Sequence, residues 1–111
     1  MTNSKQEFVI DGFTHWRGAV LGAWNPGSRW QSEYSNRRRD RRMLRQLGGG
    51  HHQPVWGGTN TWWERHFWVP GLSLPRAARL ASIMGQNAFL YLDGRRVHLI
   101  WCYTSKRRDK I

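Results

Sequence analysis

The amino-acid sequence predicts an α+β (α/β-type) single domain, a mixed sheet of about four strands with two helices in the order β-α-β-α-β-β. Three observations predict it. Short apolar runs of strand length alternate with two segments of helical period. Gly, Pro, Asn and Asp punctuate the junctions. With 111 residues, one domain is the default, and eight Trp add large buried area to its core. Strand–helix–strand crossovers followed by a hairpin imply helices packed on a sheet. The core is expected over roughly residues 8–104, with residues 1–7 and 105–111 as flexible termini.

The elements follow in order. Met1 to Lys5 is polar and expected to fray. "RGAVLGAW" (Arg17 to Trp24) is a short apolar run before a turn, which reads as a buried strand. Pro26 biases Asn25 toward an extended conformation, and Gly27 permits a tight turn. From Ser32 to Leu47, "SEYSNRRRDRRMLRQL" reads as a helix. Asn36, Asp40, Met43, Leu44 and Leu47 recur on one face, and Arg37, Arg38, Arg41, Arg42 and Arg45 cover the other. Ser32 or Ser35 caps the start, and Gly48 ends it.

"GGGHHQPVWGG" (Gly48 to Gly58) reads as a flexible loop. "TWWERHFWV" (Thr61 to Val69) is an aromatic-rich strand. Alternation puts Trp62, Glu64, His66 and Trp68 on one face and Trp63, Arg65, Phe67 and Val69 on the other. Both faces are largely apolar, which suits an interior strand. Ser73 caps a second helix over "LPRAARLASIM", with Pro75 near its start and Gly85 at its end. "NAFLYL" (Asn87 to Leu92), an Asp93-Gly94 turn and "RRVHLIWCY" (Arg95 to Tyr103) form a hairpin. No internal repeat is visible.

The charge balance points to partners. The formal net charge is +11 with His neutral, an excess that favours nucleic acid, an anionic surface or an acidic protein. A single cysteine, Cys102, excludes an intrachain disulfide and fits a reducing compartment. No apolar run reaches transmembrane length, and the N-terminal residues lack the apolar stretch of a leader. The expectation is a cytoplasmic protein without a membrane partner.

Four short motifs carry a family resemblance. "AWNPGS", then "SEYSN" on a helix, then "WWERHFWVPGL", then "ASIMGQNAFLYL" stand in this order. The pattern resembles the family known as domain of unknown function 3293, whose motifs run T-A-W-N-P, E-N, G…W-E…F-x-V and F-G-Q-N-A. The likeness spans roughly residues 18 to 102. It implies a shared fold and a shared candidate site at Asn25, Pro26, Asn36, Glu64, Gln86, Asn87 and Ala88, with no activity attached. Gly22 stands where Thr is common and Ser35 replaces the Glu of E-N, so a chemistry resting on either would not carry over. Several members of that family are short phage-type proteins, which implies a host-directed inhibitor as one further role.

Three groups of residues are candidate sites. Asn25 lies at the end of the first strand and Asn36 near the start of the following helix, the edge where open sheets bind ligands. With Glu64 and Gln86 they offer directed hydrogen bonds to a base or ribose, or else satisfy backbone groups of their own chain. Arg37, Arg38, Arg41, Arg42 and Arg45, with Trp30 nearby in sequence, offer guanidinium forks for phosphate and a ring for stacking. The plainer alternative is a solvated outer face. Glu64 and His66 lie two apart on one strand face, an acid/base pair or a packing pair.

No metal and no cofactor are expected. His51, His52, His66 and His98 have no ligand spacing around them, and Cys102 lies in an apolar strand. No catalytic residue can be assigned. The leading expectation is a small basic protein that binds nucleic acid, or a nucleic-acid-bearing complex, through the arginine helix. The alternatives are a nucleotide-directed enzyme or sensor using Asn25, Asn36, Glu64 and Gln86, and an inhibitor of a host protein.

Overall fold

Strand alternation and helical period divide the described residues into nine elements around one sheet. The computed structural model describes residues 5–8, 16–59 and 61–102. The strands are β1 (Lys5–Phe8), β2 (Arg17–Gly22), β3 (Gln53–Thr59), β4 (Trp62–Pro70), β5 (Ala88–Asp93) and β6 (Val97–Trp101). The helices are α1 (Glu33–Leu47) and α2 (Leu74–Ile83), and a single 3₁₀ turn, Pro26–Ser28, follows β2. Of the termini expected to be flexible, residues 1–4 and 105–111 lie outside the described residues, and Lys5–Phe8 pairs along β6.

The α+β class and both helices stand as the sequence predicts. Among the described residues the sheet has six strands in the order β1-β6-β5-β2-β4-β3, where about four were expected. All its pairings are antiparallel, whereas a mixed sheet was expected. The physical reason is β3. Gln53–Thr59 forms a hairpin arm along β4, from Gln53↔Trp68 to Thr59↔Trp62, and reverses the chain before β4 meets β2.

That segment was expected to be a flexible loop because Pro54, Gly57 and Gly58 lower strand propensity. At the sheet edge Pro54 need not donate to a ladder on its open side. Gly58 is required there, since a Cβ on it would sit 1.9 Å from the Trp62 carbonyl oxygen.

Helix α1 forms as its pattern dictates. The Ser32 hydroxyl accepts from the Ser35 N–H at 3.1 Å, and Gly48 ends the helix with φ 76°. Asn36, Asp40, Met43 and Leu47 are buried and Leu44 is half-buried, so the predicted face turns inward. Ser73 caps α2 in the same way, at 3.4 Å from the Arg76 N–H.

Both helices cover one face of the sheet. Met43 and Leu47 of α1 and Ala77, Leu80 and Ala81 of α2 pack with Ala19, Leu21, Phe67, Val69, Phe89 and Ile100. The other face carries a second apolar cluster of Val20, Val55, Trp68, Leu90, Leu92 and Val97. Among the described residues no helix lies on it. Nor, among them, is any helix long and apolar enough to cross a membrane.

Candidate functional site

The turn after β2 brings three of the predicted residues together. Asn25 is buried and left-handed, φ 47° and ψ 61°, where an extended conformation was expected. Asn is among the few side-chain-bearing residues that tolerate this region, because its short amide bonds locally. Here the amide bonds widely. Asn25 Oδ1 accepts from the Gln31 N–H at 2.7 Å and from Asn36 Nδ2 at 3.1 Å. Its Nδ2 donates to Glu64 Oε2 at 2.9 Å, and its backbone N–H donates to Asn36 Oδ1 at 2.9 Å. One residue thereby ties the end of β2, the start of α1 and β4.

Gln86 closes the same corner by a different route. Its Nε2 donates to the Trp24 carbonyl at 3.0 Å and the Met84 carbonyl at 3.3 Å. Asn87 Nδ2 donates to Ser28 Oγ at 2.8 Å, and the Gly27 N–H donates to the Gly85 carbonyl at 2.7 Å. The two motifs read in sequence as N-P-G-S and G-Q-N are thus the two halves of one joint, with Asn25 and Gln86 buried and Gly27 and Ser28 at the surface. Its amides are engaged with the protein's own groups.

The inner face of α1 is fixed by charge as well as by apolar burial. Asp40 Oδ2 accepts from Trp24 Nε1 at 2.9 Å, Arg65 Nε at 3.0 Å and Arg65 Nη2 at 2.5 Å. Arg39 is half-buried and donates to the Ala23 and Met84 carbonyls. Burial, helped by the neighbouring Arg42, holds its pKa below the usual guanidinium value. These two residues anchor the helix to the sheet.

The outer face is different. Arg37, Arg38, Arg41, Arg42 and Arg45 are all exposed. Arg37 forms an exposed i,i+4 pair with Glu33 at 3.0 Å, and Arg38 lies over the Tyr34 ring at 5.8 Å. Among the described residues Arg38, Arg41, Arg42 and Arg45 have no acidic partner. Their spacing of 38, 41, 42 and 45 forms one stripe along the helix. Trp30, 65% exposed, stands before α1 and packs edge-on against Trp62 at 4.9 Å.

The uncovered sheet face holds a cleft of about 580 Å³. Val20, Val55, Leu90 and Leu92 line its floor, and the indoles of Trp16, Trp56, Trp62 and Trp68 contribute to its walls. Of the four predicted ligand residues, Glu64 alone borders it, beside His66. Glu64 Oε2 also accepts from Trp62 Nε1 at 2.7 Å. His66 Nδ1 lies 3.2 Å from the Glu64 carbonyl oxygen, and its Nε2 lies 3.9 Å from Glu64 Oε1. Burial pushes the His66 pKa down, and the Glu64 charge partly opposes that shift. Gly22 makes room for the ring: a Cβ there would lie 2.6 Å from His66 Cδ2.

Sequence reasoning placed Glu64 and His66 on one strand face and did not see that this face is open. The signal was present in the apolar alternation of Val20, Leu90 and Leu92, which the two helices leave uncovered. Among the described residues no three His, Cys, Asp or Glu side chains gather as a metal site.

Comparison with known proteins gives one match. The family described as "Protein of unknown function (DUF3293)" matches residues 21–89, the span that runs from β2 through the joint to β5. No curated protein and no solved structure matches significantly.

Proposed function

Because the chain belongs to the DUF3293 family, whose description carries no activity, we propose a function from its own residues: binding of nucleic acid, or of a nucleic-acid-bearing complex, through the outer face of α1. The observation that carries this reading is the exposed stripe of Arg38, Arg41, Arg42 and Arg45 with no acidic partner among the described residues. Four guanidinium forks on one rigid helix match the repeating oxygens of a phosphate backbone. The alternative use of such charges, as partners for surface acids, is taken up among the described residues of this face only by Arg37.

The net charge of +11 supports the reading by drawing any polyanion toward the surface. Arg76 of α2 supports it locally. Its Nη2 donates to the carbonyls of Gln46 and Leu47, placing a further positive charge at the C-terminal end of α1. The stripe offers no fixed array of base-reading groups, so the binding is to backbone phosphates and tolerant of sequence.

Fluorescence anisotropy with labelled 20-nucleotide single-stranded and duplex probes tests it. About four phosphate contacts predict roughly a hundredfold loss of affinity between 50 and 200 mM salt. Replacing Arg38, Arg41, Arg42 and Arg45 together by Gln preserves helix propensity and removes the stripe. That variant should fold as the wild type and lose most of the salt-dependent affinity. Unchanged affinity and slope would overturn the proposal. Capture of a protein partner that survives nuclease digestion and does not need the stripe would favour the inhibitor reading instead.

A further inference from the structure

The cleft on the uncovered face has a chemistry opposite to that of α1. Among the described residues that line it there is no Lys or Arg, and the one formal charge is the Glu64 carboxylate. A phosphate-bearing ligand would therefore meet a carboxylate and no counter-charge. The cleft's volume lies in the range that holds a small organic molecule, and its walls are apolar and aromatic with polar groups converging at one place.

That place is defined by two acceptors. The Glu64 carboxylate is largely buried, with its side chain 14% exposed, and its Oε2 is already engaged by Asn25 Nδ2 and Trp62 Nε1. No hydrogen-bond donor among the described residues reaches Oε1 within bonding distance. On His66, Nδ1 faces a carbonyl oxygen, which can only accept, so the ring proton sits on Nδ1 and donates. Nε2 then presents a lone pair. The lowered pKa of His66 agrees with a neutral ring at pH 7. Two acceptors, Glu64 Oε1 and His66 Nε2, are thus held 3.9 Å apart with no donor between them.

We propose that this cleft binds a small organic cation, an apolar or aromatic body ending in a protonated amine, whose N–H groups bridge Glu64 Oε1 and His66 Nε2. A nitrogen about 2.9 Å from each acceptor satisfies both. The carboxylate supplies a charge-assisted hydrogen bond to the ammonium. The body of the ligand lies over Val20, Leu90 and Leu92 and against Trp16 and Trp68, which touch each other at 5.4 Å between ring centroids. The joint at Asn25 holds the carboxylate in place from behind, so this residue acts by positioning.

Three probes that share one ring system and differ at the head separate the terms: tryptamine, tryptophol and indole-3-acetate. Binding is followed by NMR shifts of the protein's indole and backbone N–H groups. Tryptamine should bind near or below about 1 mM, tryptophol about tenfold or more weakly, and indole-3-acetate not measurably. The shifts should centre on Trp62, Glu64, His66 and Leu90. Glu64→Gln keeps an oxygen for Asn25 and Trp62 and should erase the preference for tryptamine over tryptophol. Val55→Trp, on the edge strand, narrows the cleft and should remove binding of both. Equal binding of the three probes, no binding of any, shifts elsewhere on the protein, or a preference that survives Glu64→Gln would each overturn the proposal.

Discussion

The outer face of α1 and the uncovered face of the sheet use charge and aromatic side chains in opposite ways. On the α1 stripe of Arg38, Arg41, Arg42 and Arg45 the charges are positive, exposed and, among the described residues, without acidic partners, and the apolar residues lie behind them. In the cleft the apolar residues are in front, and one carboxylate sits at their margin under two hydrogen-bonded neighbours, Asn25 and Trp62. The difference teaches how local geometry sets the meaning of a side chain. Arg41 and Arg65 are the same residue type; one faces solvent and the other serves Asp40 in the core.

The largest expected effect breaks the anchor that keeps the two regions apart. Arg65→Met leaves Asp40, whose side chain is 3% exposed, without its cation. Removing one partner of such a pair costs about 3 kcal/mol, at the lower end for buried pairs because Arg65 itself is partly exposed. Arg41→Met should stay within about 0.5 kcal/mol. Urea unfolding of both variants measures the contrast, and similar losses for the two would erase it.

Next in size is the joint behind the cleft. Asn25→Ala removes three side-chain hydrogen bonds and places a residue without an amide in the left-handed region. A loss of about 2–3 kcal/mol is expected. On a domain of this size each kcal/mol lowers Tm by roughly 4–8 °C, so calorimetry resolves it readily. The same variant should weaken tryptamine binding while leaving the salt slope of nucleic-acid binding unchanged.

A smaller change sharpens the comparison further. Gly22→Ala places a methyl against His66 and forces the ring to shift, at about 1–3 kcal/mol. NMR should show the shift at Glu64 and His66 and leave the amides of Arg38 to Arg45 unmoved. The room that Gly22 leaves is the room the His66 imidazole occupies.

The smallest effect is a pH dependence confined to the cleft. The folded state holds the His66 pKa below its unfolded value near 6.5. Between the two values the unfolded chain binds more protons, so stability rises with pH across that window. This contribution is complete above about pH 7 and is lost as pH falls through 6.5. His66→Gln should flatten that part of the Tm profile between pH 7.5 and pH 5.5; an unchanged slope in the variant would contradict it.

What could be read from sequence followed from how local each feature is. The arginine stripe rests on one helix, whose 3.6-residue period and Ser32 and Gly48 boundaries were visible in seventeen consecutive residues, Ser32 to Gly48. The same holds for the Asp93-Gly94 hairpin and for the two faces of β4. The proximity of Asn25 to the start of α1 followed from the stiff Asn-Pro-Gly turn, and its left-handed backbone did not, because tertiary hydrogen bonds outweigh the bias that Pro26 imposes. Strand β3 was hidden by its Pro and Gly, which an edge position and a close approach to Trp62 tolerate. The cleft is assembled from five strands spread over more than eighty residues, from Trp16 to Leu99, and no local pattern encodes it.

One titration tests the division of labour directly. An isotope-labelled sample is titrated with an unlabelled oligonucleotide at low salt, and the arginine side-chain N–H signals are followed together with the methyls of Val20, Val55 and Leu90. The account predicts shifts at Arg38, Arg41, Arg42 and Arg45 and still methyls. Shifts of the cleft methyls with silent α1 arginines would contradict it.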